Sequence, residues 1–536
     1  MPAIADRKQL LTEEFPEQAI TGPFGGIQTE VNLDLVEQLG FSDVENMIFK
    51  ESEVLTRWGF NALPVFPGIG AENILGIADF YNKTGAHIQV VITPTRLLQF
   101  SLGGWTAITM TTPLSGTATQ LFSWSVCNNQ LLFSQGVDKV VGWDGIAGAG
   151  NTINGNAVPA KYMMELDTHL VVANTVEAGN AFVQRVRWTG AGDPTDWTSF
   201  SAGAIDLLND LGPINGLAKL YQTGYAMHQL GISQIIPTGS LPPFRFVPLT
   251  TRSRGCVCPY SLAWQGEEQA CYVGKDNIYS FNGNTATPIG DAPVISSTTL
   301  NPTTKRTGAT KFIFSDLALV NNLLPFGYIS TSINGIPYTA YHLIIPGVAV
   351  WVYNFDESNW ARHTYQQSIL CMGEFYKAGV PRIIDLIGTI YQQGWSPSTL
   401  TGTTPWPGLL LSFGNATNGY IDFSNYSESP WSITQPVVFG DSRHTKAVKK
   451  FRLVSRDLGR TTFTITLTNQ SGGSVSQTIT QGSGTGKLIS TIVPLALSGL
   501  RFFWTVSGNE RAAVAFTEFA PIYVPGGEQR GGTVDA

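Results

Sequence analysis

Charge is scarce in this chain. Asp, Glu, Lys and Arg supply 13% of its 536 residues, about half the usual share. With 32 basic and 39 acidic residues the net charge is −7, so attraction of the whole molecule to nucleic acid is not expected. Cysteine is scarce too. The five residues Cys127, Cys256, Cys258, Cys271 and Cys371 are odd in number and offer no disulfide framework. Cys256-Val-Cys258 has no second pair at metal spacing, so buried thiols are the expectation. The histidines His87, His169, His228, His342, His363 and His444 lie far from one another in the sequence, and no metal or other cofactor is expected. His228 and His342 sit in apolar stretches, which predicts core imidazoles with satisfied hydrogen bonds. No apolar run of about 18 residues is present, so no helical membrane span is expected. The opening "MPAIADRKQLLTEEFPEQ" has no apolar signal core, so no secretory signal is expected. The G-x-S-x-G, Walker, H-E-x-x-H and G-x-G-x-x-G patterns that announce common enzyme chemistries are missing.

What the chain does have is glycine, Thr, Ser, Asn and aromatics. There are 57 glycines, and 11% of residues are Phe, Trp or Tyr. Gly and Asn supply positive φ at turns, and β-branched and aromatic side chains suit a pleated surface. An all-β protein of many short strands follows. A surface so poor in charge in so long a chain also suits coverage by neighbours. Hydrophobic content of 43% allows a large core.

The strands come as hairpins. "HIQVVITPTRLLQFSLGGW" turns at Thr93-Pro94, "QLLFSQGVDKVVGWDG" at Gly136, and "HLVVANTVEAGNAFVQRVRWTG" over a longer connection. "YAMHQLGISQIIPTG" turns at Gly231, "QACYVGKDNIYSFNG" at Gly274, "YHLIIPGVAVWVYNFDESNW" at Gly347 and "RIIDLIGTIYQQGW" at Gly388. Several of these glycines are separated by about 40 residues, the size of a four-stranded propeller blade. In each unit the first strand is continuously apolar, as in a strand buried on both faces. The second carries aromatics such as Trp143, Tyr279, Phe281, Trp351 and Tyr353, suited to packing between blades. A β-propeller of six or seven blades is the expected architecture, with a two-sheet sandwich as the alternative.

Four regions are expected. Residues 1–70 form an N-terminal extended clasp, within which Ser42-Asp-Val-Glu45 equally suits a helix-opening capping box. Residues 71–400 form the propeller. Residues 401–523 form a C-terminal antiparallel β-sandwich-like domain, signalled by the alternation in "KKFRLVSRDLGRTTFTITLTNQSGGSVSQTITQGSG". Residues 524–536, ending in "GGTVDA", form a flexible tail.

Two basic clusters stand out. "TRSRG" holds Arg252 and Arg254, and "SRHTKAVKKFRLVSR" holds Arg443, Lys446, Lys449, Lys450, Arg452 and Arg456. Even spacing puts Lys450, Arg452 and Arg456 on one face of a strand. Nucleic-acid binding, a charge-guarded strand edge and docking onto an acidic neighbouring subunit are the three readings, and the last is favoured. "WTGAGDPTDWTSF", Trp188 to Phe200, is similar to the Asp-box hairpin of sialidase-type propellers, without the motif's inner glycine. Such boxes are structural clamps, and glycoside hydrolysis would need a placed carboxylate pair or an equivalent nucleophile.

Taken in order, "FPGIG" (Phe66 to Gly70), "VRWTGAGDPTDW" (Val186 to Trp197), "LGISQIIPTG", "RGCVCPYSLAWQGEEQACYVGKDNIYSFNG", "HLIIPGVAVWVYNFDESNWARH" and "KKFRLVSRDLG" resemble the tail hub or nozzle proteins of short-tailed bacteriophages, also called packaged-DNA stabilization proteins. "ENMIFKESEVLTRWGF" resembles the N-terminal segment common in phage tail components, with Arg57-Trp-Gly in place of the usual Arg-Pro-Gly. The resemblance implies a non-enzymatic virion protein of the tail, assembled in the host cytoplasm. It implies a ring of six copies below the portal and adaptor, which closes the DNA exit and opens on infection. Tail fibre or needle proteins would be partners, and double-stranded DNA would pass without sequence-specific binding. A propeller-type receptor- or glycan-binding tail protein is the alternative, and a glycosidase a more distant one.

Overall fold

The computed structural model describes residues 19–22, 24, 26–27, 40–62, 72–101, 104–146, 148, 150–249, 254–265, 268–290, 309–320, 324–333, 336–375, 408–413, 418–426, 430–437, 444–509 and 514–528. Seven four-stranded antiparallel blades succeed one another along the chain, over residues 76–108, 123–152, 160–206, 214–248, 263–288, 326–363 and 369–426. Their first strands touch in sequence order, and Ile369–Phe375 of blade seven returns to Gly76–Tyr81 of blade one. The result is a closed seven-bladed β-propeller.

Six of the expected hairpins are the second and third strands of blades one to six. The hairpin at Gly388 lies outside the described residues. Blade seven is built from Ile369–Phe375, Gly408–Phe413 and Asn418–Tyr426, so the propeller runs past residue 400. Its fourth strand is Trp58–Ala62 from the N-terminal region, with Ile421 opposite Phe60. A ring closed by strands from both ends of its chain cannot open without breaking a sheet.

The predicted burial is explicit in blade three, where the first seven residues of His169–Glu177 are all buried. Aromatics pack across blades as expected. Phe80 meets Trp143 edge-on at 5.9 Å, and Tyr225 meets Phe281 at 5.0 Å. Asparagines add polar links between neighbouring blades. Asn82, Asn174 and Asn215 donate to the carbonyls of Gly145, Ile214 and Cys256 at 2.9 to 3.1 Å. Each satisfies a backbone oxygen at a blade junction, where the ladder cannot.

The C-terminal part is a sandwich, and the N-terminal segment belongs to both of its sheets. One sheet contains Met47–Lys50, Glu53–Thr56, Ala515–Glu528, His444–Arg456 and Leu488–Gly499 in that order. The other contains Asp43–Glu45, Trp431–Val437, Phe502–Gly508, Thr461–Asn469 and Ser474–Gln481. Asp43–Glu45 also pairs with Asn359–His363 of blade six, so this sheet and that blade form one nine-stranded sheet. Residues 43–45 are therefore strand and not the start of a helix. Ser42 donates its hydroxyl to the Thr434 carbonyl, and the segment's hydrogen bonds go to two neighbouring strands. The last sandwich strand continues to Glu528, past the expected start of a tail at 524. Alternation puts Phe463, Ile465 and Leu467 inward, against a core in which Trp504 stacks on Phe519 at 4.5 Å.

Candidate binding surfaces

The first strands of all seven blades surround a central cavity of about 670 Å³. Ile77, Met163, Leu217 and Met372 supply apolar wall, and Trp124 and Trp264 line it while remaining 37% and 36% exposed. Its charged groups are Asp79, Glu165, Lys219 and Glu374. The Lys219 ammonium donates to Glu165 at 2.7 Å, and Asp79 pairs with His87. An apolar chamber of this size with a few fixed polar groups suits a small ligand or a short peptide. It does not admit a DNA duplex, whose major groove alone is about 12 Å wide. Sequence reasoning missed these residues. They lie 40 to 50 residues or more apart, and only ring closure brings them to one axis.

The basic cluster of the sandwich is distributed differently from its appearance in the sequence. His444–Arg456 is paired on both sides, by Leu488–Gly499 and Ala515–Glu528. It is a central strand, which overturns the guarded-edge reading. Arg452 pairs with Glu518 at 2.5 Å, and the Arg456 Nε donates to Glu53 at 2.9 Å. Lys446 is buried, while Lys449 and Lys450 face solvent. Arg254 is exposed and lies 3.3 Å from Asp276. Arg252 and Arg443 lie outside the described residues. The structure thus brings Lys450, Arg452 and Arg456 onto one face as the spacing predicts, with two of the three charges answered by carboxylates of the same chain.

The stretch from Trp188 to Phe200 joins the third and fourth strands of blade three. Asp193 accepts from the Thr195 amide and hydroxyl, and Asp196 from the Thr198 and Ser199 amides. Trp197 is buried, with the Arg187 guanidinium 5.4 Å from its ring. These bonds close two local turns within the connection, and the Gly192 amide donates to the Thr168 carbonyl at 3.0 Å, at the turn between the first two strands of the same blade.

The remaining candidate groups are packed away. His228 holds the Gly212 carbonyl and the Ser233 hydroxyl at 2.9 and 3.0 Å, and His342 the Ser330 hydroxyl at 2.9 Å. Cys256 and Cys271 are fully buried, and burial pushes both thiols up to about 12. Thiols held protonated in this way are poor nucleophiles. Among the described residues, no group of three or more His, Cys, Asp or Glu is placed to hold a metal ion.

No family model matches the chain, and no curated protein matches it. Solved structures that resemble it are propellers. The WD40 domain of Pan2 from Neurospora crassa is 11% identical, with a TM-score of 0.36, over 70% of this chain and 96% of that one. BamB from Moraxella catarrhalis is 10% identical at 0.35, over 76% and 98%. YCF48 from Cyanidioschyzon merolae is 10% identical at 0.36, over 68% and 100%. The assignment as a propeller stands on the closed ring of seven blades.

Proposed function

We propose that this chain is a structural protein of a short phage tail. Six copies form the distal hub or nozzle ring below the portal–adaptor complex, close the DNA exit, and open on infection. The observation that carries the reading is the placement of Glu45–Phe60, the segment that resembles phage tail components. It supplies two strands to the sandwich and the start of the closing strand to the propeller. The resembling residues are thus the frame of the molecule, as a load-carrying ring subunit requires. Identical wedge-shaped copies repeated head to tail close into a ring when the rotation is right.

In this reading the chain has no catalytic role. DNA passes along the axis of the assembled ring and not through the propeller, whose chamber is too small for it. The internal pairing of Arg452 and Arg456 sets two charges of the basic cluster against carboxylates of the same chain, which weakens their hold on a sliding polyanion. Among the described residues of the two basic clusters, the exposed Lys449 and Lys450, with Arg254 beside Asp276, are available for docking on an acidic neighbour. Fibre or needle proteins would attach to the finished ring. The second reading is a propeller-type receptor- or glycan-binding tail protein. The half-exposed Trp124 and Trp264 in the central chamber favour it, because aromatic faces suit sugars and cationic groups.

Negative-stain imaging of the purified protein, alone and with the portal–adaptor complex of its own virion, tests the proposal. Sixfold rings that cap the complex are expected. Monomers or trimers that ignore the complex, together with retention on a glycan array, would replace it with the second reading.

A further inference from the structure

We infer that the central chamber of the propeller is a binding site for an aliphatic ammonium ion. The charged head lies at one tier of the chamber and the alkyl chain at the next. The inference goes beyond the ring reading and does not depend on it.

The two tiers follow from the period of a strand, which turns alternate residues to the axis. Glu165, Lys219 and Glu374 are each the last residue but one of their strands, Ala160–Leu166, Ile214–Leu220 and Ile369–Phe375. They line the chamber together with Asp79 and Trp264. Two bonds tie these groups to one level. The Lys219 ammonium reaches Glu165 across a blade junction at 2.7 Å. Gln89, which stands opposite Asp79 in blade one, donates to the Glu374 carbonyl of blade seven at 3.4 Å. Two positions earlier in the same strands stand Ile77, Met163, Leu217 and Met372, which also line the chamber. Trp124 belongs to this second level, because the Met163 amide donates to the hydroxyl of the adjoining Ser123 at 3.1 Å. The chamber is thus charged at one tier and apolar at the other.

The charge selects the head group. Three carboxylates, Asp79, Glu165 and Glu374, line the charged tier against one ammonium, that of Lys219. His87 joins Asp79 from the second strand of blade one, and even as an imidazolium it leaves the carboxylates in excess. Gln89 is 5% exposed, and among the described residues its Oε1 has no hydrogen-bond partner. It is one more acceptor at this level that the chain does not answer. An anion is repelled here, and a neutral head leaves the excess uncompensated. Trp264 adds an indole, whose ring face attracts a cation, the more so where water is partly excluded.

The geometry selects the rest of the ligand. Two residues along a strand advance about 7 Å, so a head at the carboxylates carries a short alkyl chain to Trp124 and the methionines. The volume of about 670 Å³ lies within the roughly 300 to 1,000 Å³ of small-ligand sites. A free alkylammonium ion and the lysine side chain of an inserted peptide share this chemistry.

Isothermal titration calorimetry of the full chain tests the site, with hexyltrimethylammonium as the probe. Hexanoate and hexyl glucoside carry the same chain on an anionic and a neutral head. One site for the cation is expected, with both controls bound about tenfold more weakly or worse. Trp264→Ala and Glu374→Gln, each checked for folding by circular dichroism, should weaken the cation roughly tenfold. Trp264→Phe should keep more of the affinity than Trp264→Ala, because a phenyl face also attracts cations. The comparison of head groups on the wild type needs no variant to fold. Absence of cation binding overturns the inference, as does hexyl glucoside bound equally well. So does cation binding that the folded variants leave unchanged. An acetylated and amidated Gly-Lys-Gly peptide then separates the sources. Tighter binding of the peptide assigns the head to a partner's lysine, tighter binding of the free ion assigns it to a small molecule, and either supports the site. Imaging of rings reads none of this, so the inference and the nozzle reading fail separately.

Discussion

Arg57 is the residue on which the N-terminal segment turns. It is 2% exposed and donates to the Asn46 side-chain oxygen and to the carbonyls of Trp58 and Thr364 at 2.9 to 3.0 Å. Its guanidinium lies 4.1 Å from the Tyr365 ring centre. Asn46, at φ +57°, in turn donates to the Pro430 carbonyl at 2.7 Å. One side chain thus ties the N-terminal segment to the exit of blade six, and through Asn46 to the entry of the sandwich. Arg57→Leu removes a donor from three acceptors in a buried site, and should cost about 2–4 kcal/mol in urea unfolding. Arg57→Lys should recover little, because an ammonium cannot reproduce the planar fork.

Two core histidines make stability depend on pH. Burial holds both His342 and His363 down to about 3, against an ordinary 6.5. Below pH 6.5 the unfolded chain takes up protons that the fold refuses. Stability is therefore full above about 6.5 and falls as pH drops toward 3, by up to about 1.4 kcal/mol per unit for each ring. Melting temperature should decline from neutral pH to about 5, and His342→Gln combined with His363→Gln should flatten that decline. An unchanged slope would place the titration elsewhere.

At the scale of elements, the hairpins were legible and the edges were not. Glycine turns between an apolar strand and an aromatic one located the central pair of six blades, because both strands are buried and their composition is constrained. The short outer strands carry no such constraint. Asn151–Thr152 is two residues long and half exposed, and nothing in its composition announces a strand. The pairing of Trp58–Ala62 with Asn418–Tyr426 spans most of the chain, beyond the reach of any local pattern. For the same reason the expected boundary at 400 fell short of blade seven. In the sandwich, even spacing put Lys450, Arg452 and Arg456 on one face, because period two is a property of the strand itself. That their strand is central depends on neighbours 40 and 70 residues away.

For the whole molecule the decisive feature is a shared segment. Residues 43–62 contribute strands to blade seven, to both sandwich sheets and, through Asp43–Glu45, to blade six. Neither half can lose this segment without exposing sheet edges in the other. Calorimetry should therefore record one cooperative transition for propeller and sandwich together. Two separated peaks would mean that the nine-stranded sheet carries little energy at its junction, where Glu45 lies opposite Arg362.

Composition and local pattern by themselves determined that this protein is nearly all β, favoured a propeller for its middle over a two-sheet sandwich and a sandwich-like domain for its end, and pointed to packed rather than poised core histidines. These follow from interactions between near neighbours in sequence, where turn residues and alternating burial act directly. Only the tertiary structure decided the seventh blade, the fusion of blade six with the sandwich, the chamber lined by Trp124 and Trp264, and the spending of basic side chains on internal carboxylates. Each depends on residues that meet only when the ring closes, and closure is an energy shared among all seven blades that no single stretch of the chain encodes.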